Sequence, residues 1–304
     1  MLLSSLFPRS LLVCRLAALP LRRSSRCVPN SGSFIVPPDV NIVAAANLPQ
    51  PSVSCIIEIV QKDSSTTDSH PKVQHADGQP LRITVSRGSD LRRCISHSLQ
   101  LAAQFKANSN IALSFGNQPF SDSDAATAAE AVSVHAYSPS TWKNKDAHAN
   151  QKPVVQNCTI LDASPQAVQL GHDVGTAINM ARRLGDLPPN VATPAYMASH
   201  ALQLCEPSPG AAANLTCTVL DEKDCASLGM NLLLAVGSGS LNPPRVVALD
   251  YCPPGLELTQ PVLLVGKGVT FDSGGISLKP SAKMEVYSCI MLHYCIETKT
   301  QPRK

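Results

Sequence analysis

The feature that most constrains the fold is an alternation, from residue 164 onward, of helix-type periodicity with short, almost wholly apolar runs. A helix is predicted after Ser164, because serine caps helix N-termini and Pro165 suits the first turn. The apolar runs 246–251 and 262–265 are typical of strands buried on both faces. This alternation predicts an α/β fold in which helices cover a largely parallel sheet. One apolar face is predicted for the first helix: Ala167, Leu170, Val174, Ala177, Ile178, Ala181 and Leu184.

The same region contains further predicted elements. Thr193 and Pro194 repeat the pattern of a capping hydroxyl followed by proline, so a second helix is predicted to run to about Cys205. Residues 215–220 have strand composition, and residues 221–228 are predicted to form a short helix. The order of elements agrees with a helix-covered sheet.

The preceding residues, 39–163, are predicted to form a smaller α/β domain. Its predicted strands are 53–60, 81–85, 111–115 and 132–137. Ser89 is the expected cap of a helix whose apolar positions are Leu91, Ile95, Leu99, Ala102 and Phe105. The polar stretches 62–80 and 138–153 read as linkers. No constellation in this domain points to a site.

Residues 1–38 differ from the remainder in charge. They hold five arginines and neither lysine nor an acidic residue. An arginine- and serine-rich, acid-free start is typical of an organelle transit peptide, and a disordered start is the alternative. We therefore expect the protein to be cytoplasmic, or mitochondrial if residues 1–38 act as a transit peptide.

Composition excludes several classes of protein. The net charge of +3 over 304 residues is too small for nucleic acid to be the main partner. No apolar run is long enough for an ordinary membrane-spanning helix. The eleven cysteines contain no C-x-x-C pair, so neither a zinc finger nor a regular disulfide framework is indicated. Most are read as small buried hydrophobes in a reducing compartment.

The most informative segment is 262–279, which reads VLLVGKGVTFDSGGISLK. The segment does not match a phosphate loop of the Walker A type. Pro261 stands where the first glycine of that motif is needed, and Gly268 stands after Lys267, where the motif needs serine or threonine. The segment does not match the dinucleotide-binding motif G-x-G-x-x-G either, because Phe271 stands in place of the third glycine. Functional groups gather where parallel strands end, so the location favours a site. A plain glycine turn with solvated lysines is the alternative.

The run GKGVTFDSGGISLKPSAKM closely resembles the first metal-site motif of the leucyl aminopeptidase (cytosol aminopeptidase) family. Upstream, ARRLGDLPPNVATPAYMA resembles the helix and N-P-P-N turn of that family, and GMNLLLAVGSGSLNPPRVVALDY resembles one of its strand blocks. The resemblance covers residues 166–285. It implies the fold class: a smaller N-terminal α/β domain, followed by the first part of a mostly parallel α/β/α catalytic domain.

The resemblance also implies an activity. Family members are two-metal exopeptidases that remove N-terminal residues, leucine for example, from peptide substrates, with two divalent ions (Mn²⁺ or Zn²⁺) activating a water molecule. Lys267 matches a metal-ligating lysine, which must be neutral because an ammonium has no lone pair. Asp272 matches a metal-bridging carboxylate. Lys279 matches a catalytic lysine that stays charged and stabilises the oxyanion. A complete member is expected to be a homo-oligomer, a hexamer.

The match ends after residue 285. Ile290 stands where the family has a further metal-ligating aspartate, and the motif that supplies two more carboxylates is absent. Cys289, His293, Cys295 and Glu297 are chemically able to bind metals, but a Cys/His set would be a different kind of site. A truncated gene model, an alternative exon or a fragment explains the change better.

These observations divide the chain and leave two functions open. The predicted segments are a leader (1–38), the N-terminal α/β domain (39–163), the N-terminal part of an aminopeptidase catalytic domain (164–285) and a divergent tail (286–304). The first function is a metallo-aminopeptidase, with the chain inactive on its own because most of the metal site is missing. The second is a non-catalytic truncated isoform or fragment that binds full-length subunits.

Overall fold

The apolar runs in the first half of the chain assemble into one six-stranded sheet. Its strands are β1 Asn41–Ala45, β2 Cys55–Val60, β3 Lys72–Gln74, β4 Leu81–Ser86, β5 Asn110–Ser114 and β6 Asn157–Leu161. The order across the sheet is β1-β6-β5-β2-β4-β3, and each pair of neighbours is parallel except β3 with β4. The predicted α/β class is confirmed, and the mostly parallel sheet lies in the first half of the chain.

The structure is a computed structural model. The residues it describes are 40–45, 53–60, 71–76, 79–86, 90–105, 109–116, 119–138, 155–206, 215–252, 263–281 and the backbone of 293–297. The predicted leader (1–38) lies outside them, as do Cys289 and Ile290. The domain boundaries at 163/164 and 285/286 stay predictions.

Three helices lie side by side against the sheet: α1 Leu91–Gln104, α2 Asp122–Ala136 and α3 Pro165–Asp186. Each begins at a side chain that accepts a hydrogen bond from the first turn. The cap of α1 is Asp90, one residue after the predicted Ser89, whereas Ser164 caps α3 as predicted, with Pro165 in its first turn. Ser121 caps α2.

The predicted strand 132–137 is wrong, because these residues form the second half of α2 and its C-cap. Their alternating Val-Ser-Val-His-Ala-Tyr pattern is strand-like over six residues. The preceding alanine-rich turns and the Ser121 cap outweigh it, since alanine is the best helix former and a helix propagates readily once nucleated.

The main core lies between the sheet and these helices. Ile57, Ile83 and Leu113 are fully buried there, together with the thiols of Cys55 and Cys158. Burial raises the pKa of each of these two thiols to about 12, because the thiolate would lose its hydration. Both cysteines are packing residues, as the sequence indicated.

We expect Cys55 and Cys158 to resist alkylation in the native chain. Iodoacetamide reacts with thiolates, which these two residues do not form at pH 8. Mass spectrometry should find both unmodified while the exposed Cys252 is labelled, and both labelled in urea. Native-state labelling of Cys55 or Cys158 at the rate of Cys252 would contradict this burial.

The buried face of α3 differs from the predicted one. Leu170 and Val174 are exposed, while Gly171 and Gly175 are buried against α2. A Cβ atom on Gly171 would lie 2.0 Å from the main-chain oxygen of Ala126, so the two helices touch backbone to backbone. Apolar periodicity missed this face because glycine contributes no apolar side chain.

The second half of the chain supplies α4 Pro194–Leu204, β7 Leu215–Leu220, α5 Glu222–Ser227, α6 Asn231–Gly237, β8 Val246–Tyr251, β9 Leu263–Lys267 and β10 His293–Glu297. The predicted starts of α4 at Thr193 and of α5 at Asp221 are confirmed. Within 229–251, the segment that resembles a strand block, residues 231–237 form a helix and only 246–251 form a strand. The described pairs here, β7 with β8 and β9 with β10, are antiparallel rather than parallel.

A small second core lies around the end of α3 and the start of α4. Leu184 near the end of α3 packs with Leu187 and Ala192, while Ala167 and Val168 at the start of α3 belong to the main core. Among the described residues, no helix has the length and hydropathy needed to cross a membrane.

Candidate functional site

The site predicted from sequence lies where β9 ends. Lys267 is the last residue of β9, and Asp272 and Lys279 follow in the loop. Lys267 and Asp272 are exposed, and the side chain of Lys279 is about a quarter exposed (24%). Three charged side chains therefore lie at the end of the strand and in the short, solvent-facing loop that follows it.

Glycines shape this loop. Gly274 and Gly275 have φ angles of +95° and +69°, a region that L-residues with side chains rarely adopt. The turn brings the N–H of Lys279 to the main-chain oxygen of Ser273, at 2.9 Å. It also lets the N–H of Gly274 donate to Oδ1 of Asp272, at 2.8 Å. The loop thus folds back on the Asp272 carboxylate.

Lys279 completes that arrangement. Its Nζ donates to Oδ2 of Asp272 at 2.8 Å and to the main-chain oxygen of the same residue at 3.2 Å. These bonds, with the hydrogen bond from Gly274 next, hold the pKa of Asp272 below its usual range. Lys267 adds a smaller electrostatic effect in the same direction. Asp272 is therefore a carboxylate at neutral pH, and its direct partner is Lys279 rather than Lys267.

Lys267 and Asp272 supply only part of the ligand set that a divalent cation needs. Asp272 offers carboxylate oxygens, and Lys267 could offer an amine only in its neutral form. Within the described part of the chain, no three His, Cys, Asp or Glu residues form a group able to hold a metal. The described residues therefore do not by themselves fit a two-metal centre.

The backbone of residues 293–297 pairs with this strand. β10 pairs antiparallel with β9, and the register sets His293 opposite Lys267, Cys295 opposite Val265 and Glu297 opposite Leu263. No sequence pattern predicts this pairing, because strand partners distant in sequence are not encoded locally.

The turn itself can be tested by two matched substitutions. A Cβ atom on Gly274 would lie 2.3 Å from the main-chain oxygen of Ser277, whereas one on Gly275 meets nothing within 4 Å. We expect Gly274→Ala to destabilise the turn by about 3 kcal/mol and Gly275→Ala by about 1 kcal/mol. Hydrogen exchange of the Lys279 amide measures both, and equal acceleration in the two variants would contradict this turn geometry.

Known proteins share this architecture. The chain superposes on a bottromycin maturation enzyme in complex with Mn with a TM-score of 0.60, over 78% of this chain and 53% of the other, at 24% identity. It superposes on a tomato leucine aminopeptidase variant with a TM-score of 0.62, over 78% and 56%, at 18% identity. At these identities the likeness shows only that the chain shares the α/β fold of these two proteins.

Sequence comparison adds a family match over part of the chain. Residues 179–292 match the cytosol aminopeptidase family, catalytic domain. A "Probable cytosol aminopeptidase" of Nitrosospira multiformis is 47% identical over 123 residues, and one of Chromohalobacter salexigens is 38% identical over 187 residues. Within this segment the chain is similar to the cytosol aminopeptidase family, as the motifs indicated.

The matched region covers only part of this chain and only part of each relative. It covers 40% of this chain and 23% of the Nitrosospira relative, and 58% of this chain and 36% of the Chromohalobacter relative. The chain therefore spans about a quarter to a third of the length of the curated relatives it matches. Lys267, Asp272 and Lys279 all lie within the family segment.

Proposed function

We propose that the chain carries the first part of the active site of a metallo-aminopeptidase, which removes N-terminal amino acids of the leucine type from peptides. The observation that carries this proposal is the loop after β9. This loop lies within the segment that matches the family. In it, Asp272 and Lys279, which follow Lys267 in sequence, are in direct contact.

Each of the three side chains has a proposed role. Lys267 and Asp272 would ligate divalent ions, two per complete site, with manganese supported by the Mn complex of the bottromycin maturation enzyme and zinc as the other candidate. Lys279 would hold a positive charge beside the scissile carbonyl and stabilise the oxyanion that forms there. Its Nζ already lies 2.8 Å from Oδ2 of Asp272.

The test compares two proteins. One is the 304-residue chain, and the other is a chimera in which residues 1–285 are followed by the C-terminal remainder of the Chromohalobacter salexigens relative. We expect Mn²⁺-dependent hydrolysis of leucine p-nitroanilide by the chimera and none by the chain alone. Hydrolysis by the chain alone refutes the predicted inactivity, and a soluble, hexameric but inactive chimera refutes the proposed active site.

A second function has one observation in its favour. The described strands β8 and β9 leave large apolar side chains exposed, among them Leu249, Tyr251, Leu263 and Leu264. Such a surface favours contact with another protein. We propose as the alternative a non-catalytic isoform that binds intact subunits of the same family. Co-expression with a tagged, intact family member tests it, and failure to co-purify rejects it.

Assembly and location complete the proposal. A complete protein of this family is proposed to be a homo-hexamer acting on peptides, in the cytoplasm or, with residues 1–38 as a transit peptide, in mitochondria. Sedimentation of the chimera tests the first point. Import of a reporter fused to residues 1–38 into isolated mitochondria tests the second, with residues 39–76 as the control segment.

A further inference from the structure

Large exposed apolar side chains are concentrated in one part of the chain. Among the described residues, 19 large hydrophobic residues are exposed, and 12 of them lie between residues 232 and 278, inside the segment that matches the family. Three of these, Leu263, Leu264 and Val265, are consecutive in β9, and each is more than half exposed. Folded proteins that work alone rarely leave so much apolar surface in water, so we expect this surface to have a partner.

The side chains of β9 are apolar on both faces of the strand. Successive side chains along a strand point to opposite faces, so Leu264 lies on one face and Leu263 and Val265 lie on the other. In β2, a strand of similar composition, the neighbouring residues Ile56 and Ile57 are both buried. A strand that is apolar on both faces is typical of a sheet covered on both sides. β9 therefore needs cover on both of its faces.

β8 presents a second apolar surface, on one face only. Val247, Leu249 and Tyr251 alternate along the strand, so they share a face, and all three are exposed. Within the described part of the chain, β8 is paired only with β7, and β9 only with β10. A two-stranded sheet needs further strands or a packed helix to be stable in water. The surface formed by β8 and β9 therefore lacks both neighbouring strands and covering layers among the described residues.

We propose that β8 and β9 are the docking surface for the C-terminal remainder of a cytosol aminopeptidase catalytic domain, present as a separate polypeptide that folds onto this chain. The inference rests on the proposed function, because chain and partner would be two parts of one catalytic domain. The chain covers only 53% of the bottromycin maturation enzyme and 56% of the tomato aminopeptidase variant on which it superposes. The part of such a protein that has no counterpart here is long enough to supply further strands and covering helices.

The exposure of both faces of β9 distinguishes this partner from other occupants. A second copy of the chain, or an intact family subunit, presents an already folded surface, which covers only one face of a strand. A polypeptide that folds during binding can place strands beside β9 and helices over both of its faces. Such packing would bring the partner next to Lys267 and to the loop with Asp272 and Lys279, which follow β9 directly. The further metal ligands that the family resemblance implies would then come from the second polypeptide.

The experiment co-expresses the full, tagged chain with the untagged C-terminal remainder of the Chromohalobacter salexigens relative, the same segment that the chimera contains. We expect the remainder to be insoluble alone, soluble in the presence of the chain, and captured with it in equal amounts. The pair should also hydrolyse leucine p-nitroanilide with Mn²⁺ if the covalent chimera does.

Three variants of the chain test the surface itself. Leu263→Asp and Leu264→Asp alter opposite faces of β9, and each should lower the captured amount by about tenfold or more, as the loss of a buried anchor residue does. Both side chains are exposed in the chain alone, so these variants should keep the urea midpoint of the parent. The matched control Leu170→Asp, at a similarly exposed leucine of α3, should leave capture unchanged.

The docking proposal is overturned if the remainder stays insoluble or uncaptured while the covalent chimera is soluble. It is also overturned if only one of the two β9 variants loses capture, because the partner would then cover a single face. Capture of the intact relative in place of the remainder, or a dimer of the chain alone that both variants abolish, assigns the surface to another occupant and rejects the proposal. A captured but inactive pair, together with an inactive chimera, refutes the proposed active site and supports the docking.

Discussion

Lys279→Met in the chimera is expected to lower kcat by about 10²–10³-fold, the usual loss when one donor to a developing oxyanion is removed. Methionine keeps most of the length and apolar volume of lysine and removes only the charge. The charge matters most in the transition state, so KM should change little. Steady-state kinetics on leucine p-nitroanilide at saturating Mn²⁺ measures both constants.

A matched control separates this effect from a general loss of charge. Lys223 on α5 is an exposed lysine whose described contact to Asp221 uses only its main-chain N–H. Lys223→Met should therefore retain the kcat of the parent chimera. A Lys279→Met chimera with unchanged kcat, or one that loses activity through a raised KM alone, would contradict the role proposed for Lys279.

The Asp272–Lys279 contact gives the same variant a second readout. In the chain without metal, the ammonium of Lys279 occupies Oδ2 of Asp272, where a cation would otherwise bind. Removing that ammonium should leave Asp272 with the hydrogen bond from Gly274 and a free oxygen. We expect Mn²⁺ binding, followed by electron paramagnetic resonance, to be at least as strong in the Lys279→Met chimera as in its parent. Lys279 would then act on the reaction and not as a ligand.

Helix starts are the most predictable part of this fold. Ser164-Pro165, Thr193-Pro194 and Asp221 are predicted from the sequence as helix starts, and they act as caps in the structure. A cap uses hydrogen bonds within three residues, so its signal is complete in a short stretch of sequence. The strands 215–220 and 246–251 are predictable for a similar reason, because each is a short apolar run between turn residues.

Pairing and packing are less predictable, because they depend on residues far apart in sequence. Nothing in β7 or β8 encodes their antiparallel register. The three site residues follow from a family resemblance, whereas the contact between Asp272 and Lys279 required the fold of the glycine turn. The face of α3 that packs on α2 could not be predicted from apolar periodicity, because its contact residues Gly171 and Gly175 have no side chains.

The contact between α2 and α3 at Gly171 should have a large effect on the stability of the first half of the chain. In Gly171→Ala, the new methyl group would lie 2.0 Å from the main-chain oxygen of Ala126 and 2.7 Å from its carbonyl carbon. Neither atom can rotate away, so α2 and α3 must separate and the core between them must repack. Overpacking of this kind costs about 3 kcal/mol, and the better helix propensity of alanine returns about 1 kcal/mol.

Gly185→Ala on the same helix is the matched control, because a Cβ atom there meets nothing within 4 Å. Only the propensity gain remains, so this variant should be about 1 kcal/mol more stable than the parent chain. Urea unfolding followed by circular dichroism should thus move the midpoint down for Gly171→Ala and up for Gly185→Ala. Equal shifts in the two variants would mean that α2 and α3 do not touch backbone to backbone at Gly171, because helix propensity alone treats the two glycines alike.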